Sequence, residues 1–529
     1  MTDKSKQPNL SKKSHPKWHI FFIIITYLLL ALSAVFFITK SVKDKLFGDT
    51  KIDEIIFYIS SGLSDGQSGS VIDAVVGNIL PAILLFVLLS LPVIDFYHDK
   101  VNIKFNLPFS KPKKKINFNP SRIPIWVKLT YSVIVFVISL VMLFQSFGVF
   151  DYVKSLTQSS SIYEENYVDP KQAKLEFPDK KRNLIYIYLE SMENTNASIK
   201  NGGRQPISTI PELESLALDP KNVSFSHTSS SLGGALPAQG TTWTVGAMVA
   251  QSSGVPLKAT VMGDSQNSMG KVDKFLPGAY SLGDILKDQG YNQTFIMGSN
   301  ATFGGRDKLL KQHGDYEIQD YEYAKSSGQI PKDYKVWWGY EDKKLFSFAK
   351  EELGELSKSE KPFNLQLLTV DTHFTDGYMD ETCPKLFSNQ YANVHACSSH
   401  QVAEFIKWIQ TQPFYGNTTI VLSGDHLGMQ TEYYDKSTDT PGYQRTIYNT
   451  FINSAVTQKN QFNRQFSTLD MYPSTLAAMG VEIPGNRLAL GTNLFADKRT
   501  LVEQYGGIDK FNEELSRHSN FYEQQILSN

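Results

Sequence analysis

The chain has 529 residues, of which 41% are apolar and 20% charged, with 35 glycines and a net charge of -1. These proportions exclude collagen-like, low-complexity and wholly disordered chains, and the length suits two to four domains. The small net charge is a cancellation: residues 1–17 carry +4, residues 95–128 carry +6, residues 151–529 carry -9, and the remaining stretches -2.

Each basic block borders an apolar run, which points to a lipid bilayer and not to nucleic acid as partner. Residues 18–38, 74–94 and 129–150 are uncharged runs of 21, 21 and 22 residues. Each is long enough to cross a hydrocarbon core of about 30 Å. The first run resembles a signal peptide in position, but its length and lack of a small-residue exit favour an uncleaved anchor. Residues 1–150 therefore read as a membrane anchor with three transmembrane helices. Lys/Arg bias places the N-terminus and the 95–128 loop, with Lys111, Lys113, Lys114 and Lys115, in the cytoplasm. Three crossings then put 151–529 outside the cell. The two cysteines, Cys383 and Cys397, both fall in that outer part, 14 residues apart. A disulfide is expected there, since the spacing is poor for a metal-ligand pair.

Residues 151–182 read as a polar connector. Beyond them, 183–189 (NLIYIYL) reads as a buried strand, 284–289 as a helix, 293–297 as a strand and 341–356 as a helix. Strands at 363–370 and 418–423 flank a helix at 402–411, and a further helix is expected at 469–479. The shorter runs 446–452 and 487–495 suit a small antiparallel element, and 501–529 reads as a C-terminal tail. Strands alternating with helices predict an α/β domain over 183–500. Its sheet is expected to be mostly parallel, with helices on both faces.

Ligands of such sheets sit at the carboxyl ends of strands. Glu190 follows the first strand, Asp371 and His373 follow the strand at 363–370, and Asp425 and His426 follow the strand at 418–423. This mixed oxygen and nitrogen set suits a divalent ion such as Mn²⁺ or Zn²⁺. No Gly-x-Ser-x-Gly elbow is present. A stretch rich in Gly and Thr runs from 233 to 244 into an apolar helix. With Thr244 as N-cap, Thr241 or Thr242 faces the positive end of that helix, where a cation and the helix dipole favour an alkoxide. In FGGRD, the glycines allow close backbone approach and Arg306 offers a fork for phosphate.

Together, IYLES (187–191), GTTWTVGAMVAQSSGVPL (240–257), FGGRD (303–307), LTVDTHF (368–374), SGDH (423–426) and FSTLDMYPSTLAAMG (466–480) resemble one family. It is the branch of the sulfatase superfamily that holds phosphoglycerol transferases and lipoteichoic acid synthases. The resemblance covers about 165–500. It implies an alkaline-phosphatase-like fold and one Mn²⁺-like ion on Glu190, the threonine, Asp425 and His426. It also implies a threonine that attacks phosphatidylglycerol, releases diacylglycerol, and passes glycerol phosphate to a cell-envelope glycan or glycolipid acceptor. His373 and Arg306 match family residues of the phosphate and glycerol pocket. The setting implied is a bacterial plasma membrane with the catalytic domain outside.

The chain departs from the synthases in two ways. Gly304 stands where they carry a tryptophan, which favours single transfer over polymerisation, and three spans stand where they usually carry five. Motif spacing gives Thr242 against the synthases and Thr241 against the GxxWT pattern of the transferases, with a slight preference for Thr241. A polymerase, a phosphoethanolamine transferase and a sulfatase-type hydrolase are the enzyme alternatives. TTWTV lacks the Cys/Ser-x-Pro-x-Arg pattern that a sulfatase needs. An inactive binding module is disfavoured because the strand-end residues are all present.

Overall fold

The computed structural model describes residues 17–47, 67–94, 103–106, 115–118, 123–258, 274–430, 432–434 and 442–528. They form two compact units, one of residues 1–44 and 70–147, the other of 45–69 and 148–529.

The first unit contains three long helices, α1 (Lys17–Phe47), α2 (Gln67–Ser90) and α3 (Ile125–Ser146). All three are long and apolar enough to cross a membrane. Their large apolar side chains point outward, among them Ile24, Leu28, Leu80, Leu84, Ile134 and Val137. Such a surface is costly in water and favourable in lipid. Between helices, the rings of Tyr27 and Phe86 and of Phe36 and Phe136 meet, and Tyr131 donates to the Leu89 carbonyl at 3.2 Å. The third helix begins and ends about four residues before the expected run. Pro124 occupies its N-cap, and Gly148, at φ +67°, marks the break that follows. Strands β1 (Ile103–Asn106) and β2 (Lys115–Phe118) pair antiparallel in the loop between α2 and α3. The basic N-terminus and Lys111, Lys113 and Lys114 lie outside the described residues.

The second unit is built on a six-stranded sheet. Its strands are β3 (Asn183–Leu189), β4 (Asn292–Met297), β5 (Glu317–Gln319), β6 (Phe363–Leu368), β7 (Thr418–Gly424) and β8 (Asn449–Ile452). Their order is β5-β4-β6-β3-β7-β8, parallel throughout except for β8, which runs antiparallel to β7. Strand β3 sits inside the sheet with both faces covered, which is why its sequence is an unbroken apolar run. Leu184, Tyr186 and Tyr188 join one hydrophobic cluster; Ile185, Ile187 and Leu189 join the other. Helices α4 (Pro211–Leu218), α6 (Asp342–Leu356) and α7 (Gln390–Gln410) cover the second face through Leu213, Leu345, Leu353, Val402 and Phe405. Helices α5 (Thr244–Ser253) and α8 (Met471–Ala478) cover the first through Met248, Val249 and Leu476.

The α/β sheet with helices on both faces is as the sequence indicated, with corrections at its borders. The run at 446–452 supplies β8 to the main sheet, and of the expected appended element Arg487–Leu488 with Gly491–Thr492 forms a separate ladder. The expected tail after residue 500 folds back as helices Leu501–Tyr505 and Ile508–Ser516 and buries Phe511, Leu515, Tyr522 and Ile526 in the first cluster. The connector also docks there through Ile162 and Tyr163, and Val168 bridges to Ala489. Helix α7 begins at Gln390, twelve residues before the helix read from sequence, with the Asn389 side chain accepting from the Ala392 amide at 3.0 Å.

Cys383 and Cys397 are disulfide-bonded, with their Cα atoms 5.6 Å apart. The bond ties the segment before α7 to that helix. Replacing both cysteines with serine is expected to cost about 3 kcal/mol, the loop-closure value for a ring of this size. The fall in the urea midpoint of the sheet domain checks it.

Candidate active site

Strands β3 and β7 are neighbours in register, Leu189 opposite Gly424. Glu190 and Asp425 therefore leave the sheet side by side at its carboxyl edge. Two backbone features make this possible. A Cβ on Gly424 would lie 2.0 Å from the Met192 carbonyl oxygen, so the close approach of the two strand ends requires glycine. Ser191 adopts φ +54°, a conformation that costs a non-glycine residue about 1 kcal/mol or more. In return its amide donates to Asp425 Oδ1 at 2.8 Å and its hydroxyl to Glu190 Oε1 at 2.7 Å.

Glu190, Asp425 and His426 are all buried and bring three ligand atoms within 4.8 Å of one another. Asp425 Oδ1 accepts a second bond, from the His426 amide at 2.7 Å. Among the described residues no donor reaches Asp425 Oδ2, which lies 3.4 Å from His426 Nε2. The His426 ring donates through Nδ1 to the Leu427 carbonyl at 2.8 Å, so Nε2 presents its lone pair, 3.5 Å from Glu190 Oε1. Burial, and then the neighbouring Glu190 charge, push Asp425 up to about 7. Two buried carboxylates, an imidazole lone pair and an orphaned oxygen around one point fit a divalent cation.

The threonine beside this cluster is Thr244. Its hydroxyl donates to Glu190 Oε2 at 3.3 Å and lies 3.5 Å from His426 Nε2. Neither threonine singled out from the sequence stands there. Thr241 is fully buried and donates to the Ala238 carbonyl at 2.9 Å, inside its own turn; Thr242 is exposed. The difference comes from the cap. Trp243, extended at φ -138°, is the N-cap and makes no side-chain cap bond, so Thr244 is the first helical residue and not the cap. The hydroxyl then sits within the first turn, among unpaired amides at the positive end of α5. Gln251, two turns on, fixes this helix to the sheet: its amide donates to the Gly424 carbonyl at 3.0 Å, and Tyr186 donates to its oxygen at 2.6 Å.

Glu190 and Thr244 open into a cavity also lined by Arg306, His373, Ser299, Phe303 and Trp338. Arg306 reaches it because Gly304 and Gly305, at φ +67° and +74°, turn the chain after β4. Its guanidinium, 4% exposed, donates to the Asn300 carbonyl at 2.7 Å, Ser299 Oγ at 3.1 Å and the Phe303 carbonyl at 3.0 Å. His373 donates from Nδ1 to the Phe374 carbonyl at 2.7 Å, leaving Nε2 as an acceptor. Burial first, against the Phe374 bond, lowers its pKa to about 4, so the ring is neutral. Asp371 does not join the cluster; it accepts from the Asp342 amide at 3.2 Å, and burial beside Asp342 holds it well above the usual carboxylate range.

Three contributors were not read from the sequence. Trp338 packs its ring 4.5 Å from that of His373 and supplies an aromatic wall from a loop distant from Gly304. The Trp-Trp-Gly run at 337–339 is the sequence signal for it. Thr369 accepts from the Glu190 amide at 2.9 Å and pins the end of β3 to the end of β6. Glu193, fully buried, pairs with Arg445 through Nε at 2.9 Å and through Nη2. Glu193 also accepts from the Gly428 amide at 2.8 Å, while Arg445 donates to the Gly428 carbonyl at 2.7 Å. The pair clamps the loop that carries His426. Arg445→Ala leaves a buried carboxylate unpaired and is expected to cost about 3–5 kcal/mol, read from chemical denaturation.

The description "Sulfatase" belongs to the family model that matches residues 182–481. Over 272 residues the chain is 37% identical to phosphoglycerol transferase I of Escherichia coli (strain 55989 / EAEC). That match covers 50% of this chain and 33% of the relative, so the chain spans about a third of its length. Among solved structures, the lipoteichoic acid synthase LtaP from Listeria monocytogenes is 17% identical with a TM-score of 0.47, over 63% of this chain and 80% of that one. The lipooligosaccharide phosphoethanolamine transferase A from Neisseria meningitidis is 15% identical with a TM-score of 0.46, over 88% and 86%. With the family model spanning more than half the chain and the strand-end cluster inside its bounds, the chain belongs to the sulfatase family.

Proposed function

We propose that this protein is a membrane-anchored phosphoglycerol transferase that moves glycerol phosphate from phosphatidylglycerol to a cell-envelope glycan. The observation that carries this reading is the Thr244 hydroxyl at a helix N-terminus, against Glu190 and His426, in one cavity with Arg306 and His373. The likeness to phosphoglycerol transferase I supports the choice of group transferred.

Glu190, Thr244, Asp425 and His426 are the residues that would hold one divalent ion, with Mn²⁺ the choice for this oxygen-rich set. When bound, the ion supplies Lewis acidity and offsets the charge that the two carboxylates would otherwise turn against an anionic substrate. Thr244 gives its proton to solvent and attacks phosphorus. The Thr244 Oγ1–P bond forms as the P–O bond to diacylglycerol breaks, and water protonates the departing alkoxide. Arg306, held by three backbone and side-chain acceptors, presents positive charge to the phosphoryl oxygens in a fixed orientation. In the second half, Nε2 of neutral His373 takes the proton of an acceptor hydroxyl as its oxygen attacks phosphorus. The bond to Thr244 breaks, its oxygen takes a proton from water, and His373 gives the acceptor's proton up to solvent, so threonine and neutral imidazole are both restored.

The disulfide supports an oxidising compartment for the catalytic unit, and with it a cytoplasmic N-terminus and an external sheet domain. Gly304, in the place where the resemblance puts a tryptophan in the synthases, supports single transfer.

Thr244→Ala is expected to lower diacylglycerol release from phosphatidylglycerol by about 10³-fold or more, while Thr242→Ala stays within a few-fold of the parent. Mass spectrometry should find a glycerophosphate adduct on the peptide that contains Thr244; an adduct on Thr241 or Thr242 would sink this assignment. Chelation should abolish the activity, and Mn²⁺ should restore it better than Zn²⁺.

A further inference from the structure

After β6 the chain runs through residues 369–373 without regular structure, and this segment grips Glu190 by both of its backbone groups. Thr369 Oγ1 accepts from the Glu190 amide at 2.9 Å, and the Thr372 hydroxyl donates to the Glu190 carbonyl at 2.5 Å. What holds the segment itself is a pair of buried acids that the transfer chemistry does not use. Asp342, the first residue of α6, is fully buried and accepts the Val370 amide at Oδ1 (2.8 Å) and the Asp371 amide at Oδ2 (3.1 Å). Asp371, 3% exposed, accepts the Asp342 amide at Oδ1, 3.2 Å away; among the described residues its Oδ2 meets no hydrogen-bond partner.

We propose that Asp371 is a positioning residue that works as a neutral carboxylic acid, leaving one negative charge on Asp342 to hold the 369–373 segment in place. The inference rests on the transferase reading and adds to it what keeps Glu190 and His373 in register. The hydrogen bonds assign the proton. Both oxygens of Asp342 face N–H donors, so this is the ionised acid, and its place in the first turn of α6 favours the charge. Asp371 has one oxygen that accepts and one left to carry a hydrogen. A buried hydroxyl without a partner costs far less than a buried charge without one. Burial raises both acids, but two amides draw Asp342 back down where Asp371 has one, and the Asp342 charge raises Asp371 further.

The surroundings oppose a second charge. Glu341 and Asp380 face Asp371, as does the Tyr378 hydroxyl, and Glu190 and Glu341 face Asp342. The neighbouring cations are already committed, Lys344 to Glu341 at 3.1 Å and Lys343 to Asp380 at 3.8 Å. Tyr334 donates to Glu341 at 2.6 Å, and Tyr391 donates to the Thr372 carbonyl at 2.7 Å. A second carboxylate would push the segment off α6, and with it the two hydroxyls on Glu190 and the ring of His373. The sign of the pH dependence follows. Unfolded, Asp371 ionises near pH 4; folded, it keeps its proton well above that. The stability it contributes is complete below about pH 4 and is lost as pH rises towards the folded value.

The test uses the full chain in detergent micelles and two readouts. In urea unfolding between about pH 5 and 8, the folding constant of Asp371→Asn divided by that of the parent should rise with pH, by up to tenfold per unit. A ratio that stays flat would show Asp371 ionised in the folded chain and overturn the proposal. In diacylglycerol release from phosphatidylglycerol with Mn²⁺, Asp371→Ala should lower kcat about tenfold with KM within a few-fold, and Asp371→Asn should recover most of that loss. Asp342→Asn, which offers one acceptor to two amides, should stay at least tenfold down in kcat. An Asp371→Asn protein as slow as Asp371→Ala, or an Asp342→Asn protein as fast as the parent, would each overturn it too. If Asp342→Asn does not fold, the two Asp371 variants decide. A parent that releases no diacylglycerol while the unfolding ratio rises with pH counts against the transferase reading alone.

Discussion

Two acids buried side by side set the terms for the sheet domain. At about 5 Å and an effective dielectric near 20, two carboxylates repel by roughly 3 kcal/mol, before any cost of taking them from water. The fold answers with directed donors. Ser191 gives one carboxylate its amide and the other its hydroxyl, and His426 turns its own amide back onto Asp425. The positive end of α5 faces Glu190 through Thr244. What these donors do not reach is Asp425 Oδ2, 3.4 Å from His426 Nε2, and a cation fits beside it.

Much of the surrounding architecture keeps that arrangement still. Strand register delivers Glu190 and Asp425 together, Gly424 permits the approach, and Thr369 ties in the neighbouring strand. Gln251 fastens the helix that carries Thr244 to the strand that carries Asp425. The Glu193–Arg445 pair holds the loop beyond His426. Each is an ordinary packing or hydrogen-bonding device, and each fixes one strand end, helix end or loop against another. The precision of the site is therefore a property of the whole carboxyl edge of the sheet.

The central strands were legible because burial on both faces leaves short, mostly apolar and β-branched or aromatic runs such as NLIYIYL, FNLQLL and TTIVLS. Strand β5 was not, because three residues with an exposed glutamate carry no period. The first half of α7 was hidden by buried polar residues, His395, Ser398 and Ser399 among them, which look solvated in sequence and are not. Glu190, Asp425 and His426 were readable from their place after strands. The threonine beside the cluster, Thr244, differs from those singled out in sequence because hydroxyl-bearing caps are the common case, and here an extended tryptophan takes the cap with no side-chain bond. The Trp-Trp-Gly run marks Trp338 as unusual, but its meeting with His373 arises only through tertiary structure.

The parallel pairing of β3 with β7 also governs when the site comes into being. Ser191 and Asp425 are 234 positions apart in the chain, and parallel neighbours cannot be joined by a short turn. Closing so long a loop is entropically expensive and slow, and no smaller piece of the chain contains both carboxylates. A partly folded molecule thus carries the acids singly, each hydrated and with little hold on a cation. A cation would therefore find its full set of ligands only late in folding, once the sheet has closed.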